Sequence, residues 1–132
     1  MKFAFWILLN LIGFTLSHAQ AANCEVSALA LSLNEGGDAK CPLLKIEGKY
    51  KLKICEAAQS LLTGEDGSVR YLFKSAGSWM ARQDLLDFDE NVSTTEILLI
   101  NNEGSKFSIS KVKSQSNGHV LEQIACAGTM TR

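Results

Sequence analysis

Apolar and polar side chains alternate with a period of two along most of this chain. Tyr50, Leu52 and Ile54 are interleaved with Lys49, Lys51 and Lys53, the pattern of a strand with one dry and one wet face. Val69 to Lys74, Ser78 to Gln83, Thr95 to Asn101, Lys106 to Lys113 and His119 to Cys126 are predicted as further strands. Each is short, rich in β-branched or aromatic residues and bounded by turn formers. The segment Leu29, Leu31, Leu33 alternates in the same way, and this favours a strand over the helix that the Ala and Leu content of Glu25 to Leu33 also permits.

The punctuation between these runs is that of hairpins. Asn101-Asn102-Glu103-Gly104 and Ser116-Asn117-Gly118 carry residues that tolerate positive φ, and Ala76-Gly77 is too short for a crossover helix. Neighbouring strands are therefore expected to pair antiparallel. Glu56 to Leu62 contains better helix formers and predicts one short helix or turn before the Gly64 to Gly67 turn. Leu85 to Asn91 reads as a strand end entering an acidic loop, and Cys41-Pro42 as the approach to a strand running from Lys45 to Cys55. The expected fold is all-β, with at most one short helix: an antiparallel meander of six or seven strands. Closing it into a small barrel removes the two open edges.

The first residues have a different character. Lys2 precedes an apolar run from Phe3 to Leu16, followed by Ser17-His18-Ala19-Gln20-Ala21-Ala22, which fits a secretory signal cut after Ala19 or Ala21. The run is shorter than the roughly 20 apolar residues of a spanning helix and lacks a basic stop-transfer cluster, so no stable membrane insertion is expected after cleavage. Asn23 directly before Cys24 does not fit a lipoprotein signal. The organisation read from the sequence is a signal peptide over residues 1–21 and a single domain over residues 22–132, exported to the periplasm or the extracellular space. The tripeptide Asn91-Val92-Ser93 is a glycosylation sequon and keeps a eukaryotic secretory origin open.

All four cysteines, Cys24, Cys41, Cys55 and Cys126, lie beyond the signal, where disulfides are the expected state. A fold-back of Leu29 to Leu33 about Gly36-Gly37 places Cys24 opposite Cys55. Barrel closure brings Cys41 towards Cys126, and the other connectivities stay open. Losing Lys2 leaves 12 basic against 14 acidic side chains, a mature net charge of −2. With an isoelectric point of about 6.1 and no basic amphipathic segment, neither nucleic acid nor an anionic membrane is an expected partner.

Gly48-Lys49-Tyr50, opening a strand ahead of an antiparallel meander with a cysteine in its last strand, resembles the start of lipocalin-like and related small exported barrels. Tyr50 stands where that family usually has Trp, and the chain is shorter than a full lipocalin. Size, export and strand count also resemble the small barrel lysozyme inhibitors of the periplasm. The resemblance implies a barrel that binds rather than catalyses, and no functional residue carries over from it.

The residues themselves offer little chemistry. Asp87, Asp89 and Asn91 match the first alternating ligand positions of a calcium loop, but Val92 and Leu98 occupy the places that need Gly and bidentate Glu. Ser108 with Lys111, and Ser110 with Lys113, match S-x-x-K, a spacing that shares a face in a helix but not in a strand. His119 is the one histidine left after cleavage, and the cysteines lack zinc-ligand spacing. No catalytic residue, metal or cofactor is expected. A carboxylate-dependent hydrolase is kept as an alternative, requiring two acids within roughly 10 Å in a cleft.

Tyr50, Tyr71, Phe73, Trp79, Phe88 and Phe107 fall on or beside the predicted strands and are the candidate lining of a barrel mouth that takes a small apolar ligand. A barrel of six or seven strands is narrow enough to be filled by its own side chains, which shifts the expectation towards binding by loops. The lysine row Lys45, Lys49, Lys51 and Lys53 is either a contact for an acidic partner or a wet strand face. The expected function is non-enzymatic binding, by a monomer, of a small ligand or a secreted protein, an inhibitor of a secreted enzyme such as a lysozyme being one version.

Overall fold

In the computed structural model residues 23–101 and 105–132 are described. The expected signal segment over residues 1–21 and the Asn102 to Gly104 part of one expected turn lie outside them. Eight strands run in chain order around a closed barrel, each antiparallel to the next. They are β1 (Cys24–Leu33), β2 (Gly48–Cys55), β3 (Ser60–Gly64), β4 (Val69–Ser75), β5 (Ser78–Asp87), β6 (Val92–Asn101), β7 (Lys106–Gln115) and β8 (Val120–Thr131). Closure is made by Ala30 to Leu33 of β1 pairing with Gly128 to Thr131 of β8.

The strand count exceeds the six or seven expected because Glu56 to Leu62 is not helical. Ser60–Gly64 is a strand between β2 and β4, with Leu61 opposite both Lys53 and Tyr71. Burial of Leu62, which is fully inside, and two ladders of hydrogen bonds outweigh a propensity difference of a few tenths of a kcal/mol per residue. Among the described residues the one helical element is instead a 3-10 turn at Cys41–Leu44, started by Pro42 and ended by Lys45 in the left-handed region at φ 50°. The strand expected from Lys45 therefore begins only at Gly48.

Residues 34–47, which join β1 to β2, plug one end of the barrel. The Asn34 amide donates to the Ala127 carbonyl at 3.0 Å, and the Tyr50 hydroxyl donates to the Ile46 carbonyl at 2.6 Å. Leu44 and Ile46 are buried, and the Cys41–Cys126 disulfide fastens the plug to β8. An eight-stranded barrel is just wide enough to hold a small ligand. Here that space is taken by Ile46 together with Leu31, Leu62, Leu72, Leu98, Ile100, Ile109 and Ile124, each less than 2 % exposed. The interior is filled mainly by the inward side chains of the strands, with Ile46 of the inserted segment among them.

The second disulfide, Cys24–Cys55, joins directly paired residues of β1 and β2. Two disulfides point to an oxidising, extracytoplasmic environment. Among the described residues no helix is long and apolar enough to cross a membrane.

Candidate functional site

The barrel wall is uneven. β3 has 5 residues and β4 has 7, whereas β5, β6 and β7 have 10 each and β8 has 12. At about 3.3 Å per residue the tall wall stands roughly 15 Å above the shortest strand. β4 pairs with β5 only through Phe73 to Ser75, so Ala81 to Asp87 of β5 has a ladder partner only in β6 among the described residues. The β5–β6 hairpin overhangs the barrel.

The overhanging end is apolar and acidic at once. Phe88 is 81 % exposed, Leu85 72 % and Leu86 58 %. Consecutive leucines in a strand face opposite ways, so Leu85 looks over the inner side and Leu86 over the outer. Asp87, Asp89 and Glu90 surround Phe88 in the turn. Its geometry is set locally: the Asp87 Oδ1 accepts the Asp89 amide at 3.0 Å and the Glu90 amide at 3.3 Å, and Asn91 sits at φ 56°. The Ser116 amide donates to the Asn91 carbonyl at 3.1 Å, tying this turn to the neighbouring β7–β8 turn. Beneath it lies an open groove of about 580 Å³ lined by Leu85, Phe88, Val92, Thr94 and Lys113 as well as the turn carboxylates.

Arg82 and Asp84 brace the outer side of the hairpin. The Arg82 Nε lies 3.0 Å from the Asp84 Oδ2, and the Thr95 hydroxyl donates to the Asp84 Oδ1 at 2.7 Å. The Thr95 hydrogen bond first, and the Arg82 contact second, hold the Asp84 carboxyl below its ordinary value. On the inner side, Arg70 of β4 reaches across the gap to β5 and β6. It pairs with Glu96, and the same nitrogen donates to the Gln83 Oε1 at 3.3 Å. This ion pair closes the barrel where the β4–β5 ladder stops.

The structure separates the aromatics that the sequence groups as a lining set. Phe107 is buried in the core, and Tyr50 and Trp79 are partly buried against it. Tyr71 and Phe73 project from the outer wall, because their neighbour Leu72 takes the inward position. Lys49, Lys51 and Lys53 stand exposed on the outside of β2, while Lys45 belongs to the plug. The Asp87 carboxylate is engaged by its own turn, and among the described residues no group of three or more His, Cys, Asp or Glu is placed to hold a metal ion. Ser108 and Ser110 alternate with Lys111 and Lys113 along β7 and face the other way. His119 is an exposed residue of the β7–β8 turn, its amide donating to the Asn117 Oδ1 at 2.9 Å.

Leu85, Leu86 and the Arg70–Glu96 pair were not singled out in the sequence. The adjacent leucines were a usable signal, since a strand cannot bury both on one face. The ion pair had none, its partners being 26 residues apart. No family model, curated protein or solved structure matches this chain.

Proposed function

We propose that the chain is an exported, non-enzymatic protein-binding domain whose contact element is the β5–β6 hairpin end. The observation that carries this reading is Phe88, 81 % exposed at the tip of a braced and overhanging hairpin. Phe88 and Leu85 line one open groove, and covering such adjoining exposed apolar side chains with a partner is favourable. Asp87, Asp89 and Glu90 around it select a partner with an apolar pocket rimmed by cationic groups.

The two resemblances enter as versions of this binding role. A lipocalin-like carrier uses the barrel lumen, and here Leu44 and Ile46 occupy that space. The filled interior and the protruding hairpin favour the inhibitor-like version, in which the tip enters a cleft of a cationic secreted enzyme such as a lysozyme.

The test places a photoreactive benzophenone analogue of phenylalanine at Phe88 and, as control, at Gln59, at the other end of the barrel. Both are irradiated with the exported proteins of the host. Adducts to a cationic protein from position 88 and none from position 59 are expected. Equal adducts from both positions, or none from position 88, contradict the reading.

A further inference from the structure

The strand β4 is mounted with its more apolar side outwards. Val69, Tyr71 and Phe73 face solvent at 39 %, 59 % and 52 % exposure, while Arg70 and Leu72 take inward positions. Holding Arg70 inside requires the Glu96 and Gln83 contacts described above. The opposite mounting would need neither, so the outward aromatics call for a role of their own.

Their neighbours supply it. Strand pairing sets Val26, Lys53, Leu61 and Tyr71 side by side across β1 to β4, with Ala28, Lys51, Thr63 and Val69 as the next row. Val26 is 63 % exposed. Among the described residues the one carboxylate on these four strands is Glu25, exposed at the start of β1 beside Val26, with Glu56 just past the end of β2. Glu65 and Asp66, in the turn after β3, border one end. An open groove of about 420 Å³ lies between Ala28, Lys49, Lys51 and Thr63, with Tyr50, Gly64 and Glu65 completing it.

We infer that this wall docks the protein peripherally on an anionic lipid surface. Lysines draw the wall to acidic headgroups, and the groove flanked by Lys49 and Lys51 has room for one headgroup phosphate. Val26, Leu61, Tyr71 and Phe73 then enter the boundary between headgroups and acyl chains, where aromatic rings and lysine stems are both at home. Exposed aliphatic side chains beside lysines favour lipid over a soluble polyanion, which would gain nothing from Val26 or Val69. β5 and β6 are not among the four strands of this wall, and Phe88 sits in the turn at the barrel's end, so docking by the wall does not use the Phe88 hairpin.

The experiment is co-sedimentation of the oxidised protein with vesicles of phosphatidylcholine, with and without phosphatidylglycerol, using dextran sulfate as a soluble polyanion. Three variants accompany the wild type: Lys51→Glu with Lys53→Glu, Tyr71→Ser with Phe73→Ser, and Phe88→Ser. All share the same N-terminal segment, so differences between them report the substituted residues. Expected is binding to phosphatidylglycerol vesicles that weakens with salt, falls at least about fivefold for each lysine reversed, also falls in the aromatic variant and is unchanged in Phe88→Ser. Equal binding to neutral vesicles, no binding, or insensitivity to the lysine reversal overturns the inference. Equally strong dextran sulfate binding that the aromatic variant keeps in full overturns it too, in favour of a polyanion site.

Discussion

The Phe107 ring lies in the space that a Cβ on Gly128 would need: built there, that atom would stand 2.4 Å from the ring's Cε1 and 2.2 Å from the Ser32 carbonyl oxygen. Gly128 is paired on one side with Phe107 and on the other with Leu33, at the seam where β8 meets β1. Since one of the two contacts is backbone, the seam cannot relax by turning a side chain. Gly128→Ala is expected to destabilise the fold by about 3 kcal/mol, the upper part of the usual overpacking range. A urea midpoint measurement checks this, and an unchanged midpoint would mean that the seam is not closed as described.

The two disulfides are expected to differ in energy and in access. Cys41–Cys126 has a sequence separation of 85 and Cys24–Cys55 one of 31. In the chain-entropy account these contribute about 4.5 and about 3.7 kcal/mol respectively. Replacing Cys41 and Cys126 by alanine also frees the plug, so the larger loss of stability is expected there. Cys24 is only half-buried, whereas Cys41 and Cys126 are both buried. Peptide mapping after graded native-state reduction is expected to find Cys24–Cys55 opened first.

Arg70 and Glu96 have side chains 13 % and 17 % exposed. Glu96→Ala leaves the guanidinium without its counter-charge in a largely dry place and is expected to cost about 3 kcal/mol. Replacing both residues by apolar ones of similar volume, Arg70→Met with Glu96→Leu, is expected to cost much less, since neither charge is then left alone. Chemical denaturation of the two single variants and the double variant gives the coupling. Additive losses would mean that the pair does not hold the β4–β5 gap.

Burial holds the Tyr50 phenol above its ordinary value of 10.0, the Arg70 guanidinium opposing this and the Asp66 and Glu96 carboxylates adding to it. With the folded value above the unfolded one, the contribution to stability is whole below pH 10.0 and is lost as pH rises from there through the folded value. Tyr50→Phe is expected to remove that alkaline loss while costing about 1 kcal/mol at neutral pH, where the hydrogen bond to the Ile46 carbonyl goes unmade. Urea midpoints at neutral pH and above pH 10.0 separate the two effects.

Much of the fold was legible because its signals were local. The lysine alternation placed β2, the asparagine and glycine turns placed the hairpins, and the fold-back about Gly36-Gly37 put Cys24 opposite Cys55. What escaped was decided by tertiary contacts. Ser60–Gly64 became a strand because two neighbours pair with it. The plug escaped because Lys45-Ile46-Glu47-Gly48 continues the alternation of β2, and nothing local reveals the left-handed turn at Lys45. In β4 the aromatic and β-branched content marks a strand but cannot say which face is inside. Arg70, Leu72 and Lys74 make a less apolar set than Val69, Tyr71 and Phe73, yet Leu72 is the one buried. The candidate contact residues follow the same division: Phe88 was visible as an aromatic near an acidic loop, but its projection depends on unequal strand lengths.

Binding through the hairpin end rather than the lumen is the proposal, and its sharpest check is the affinity of Phe88→Ser for the protein captured from position 88. Phe88 makes no contribution to the core, so the variant is expected to keep the wild-type urea midpoint. Its affinity is expected to fall at least about thirtyfold, as for the truncation of a central interface anchor. An affinity equal to that of the wild type, with the fold intact, would contradict the account.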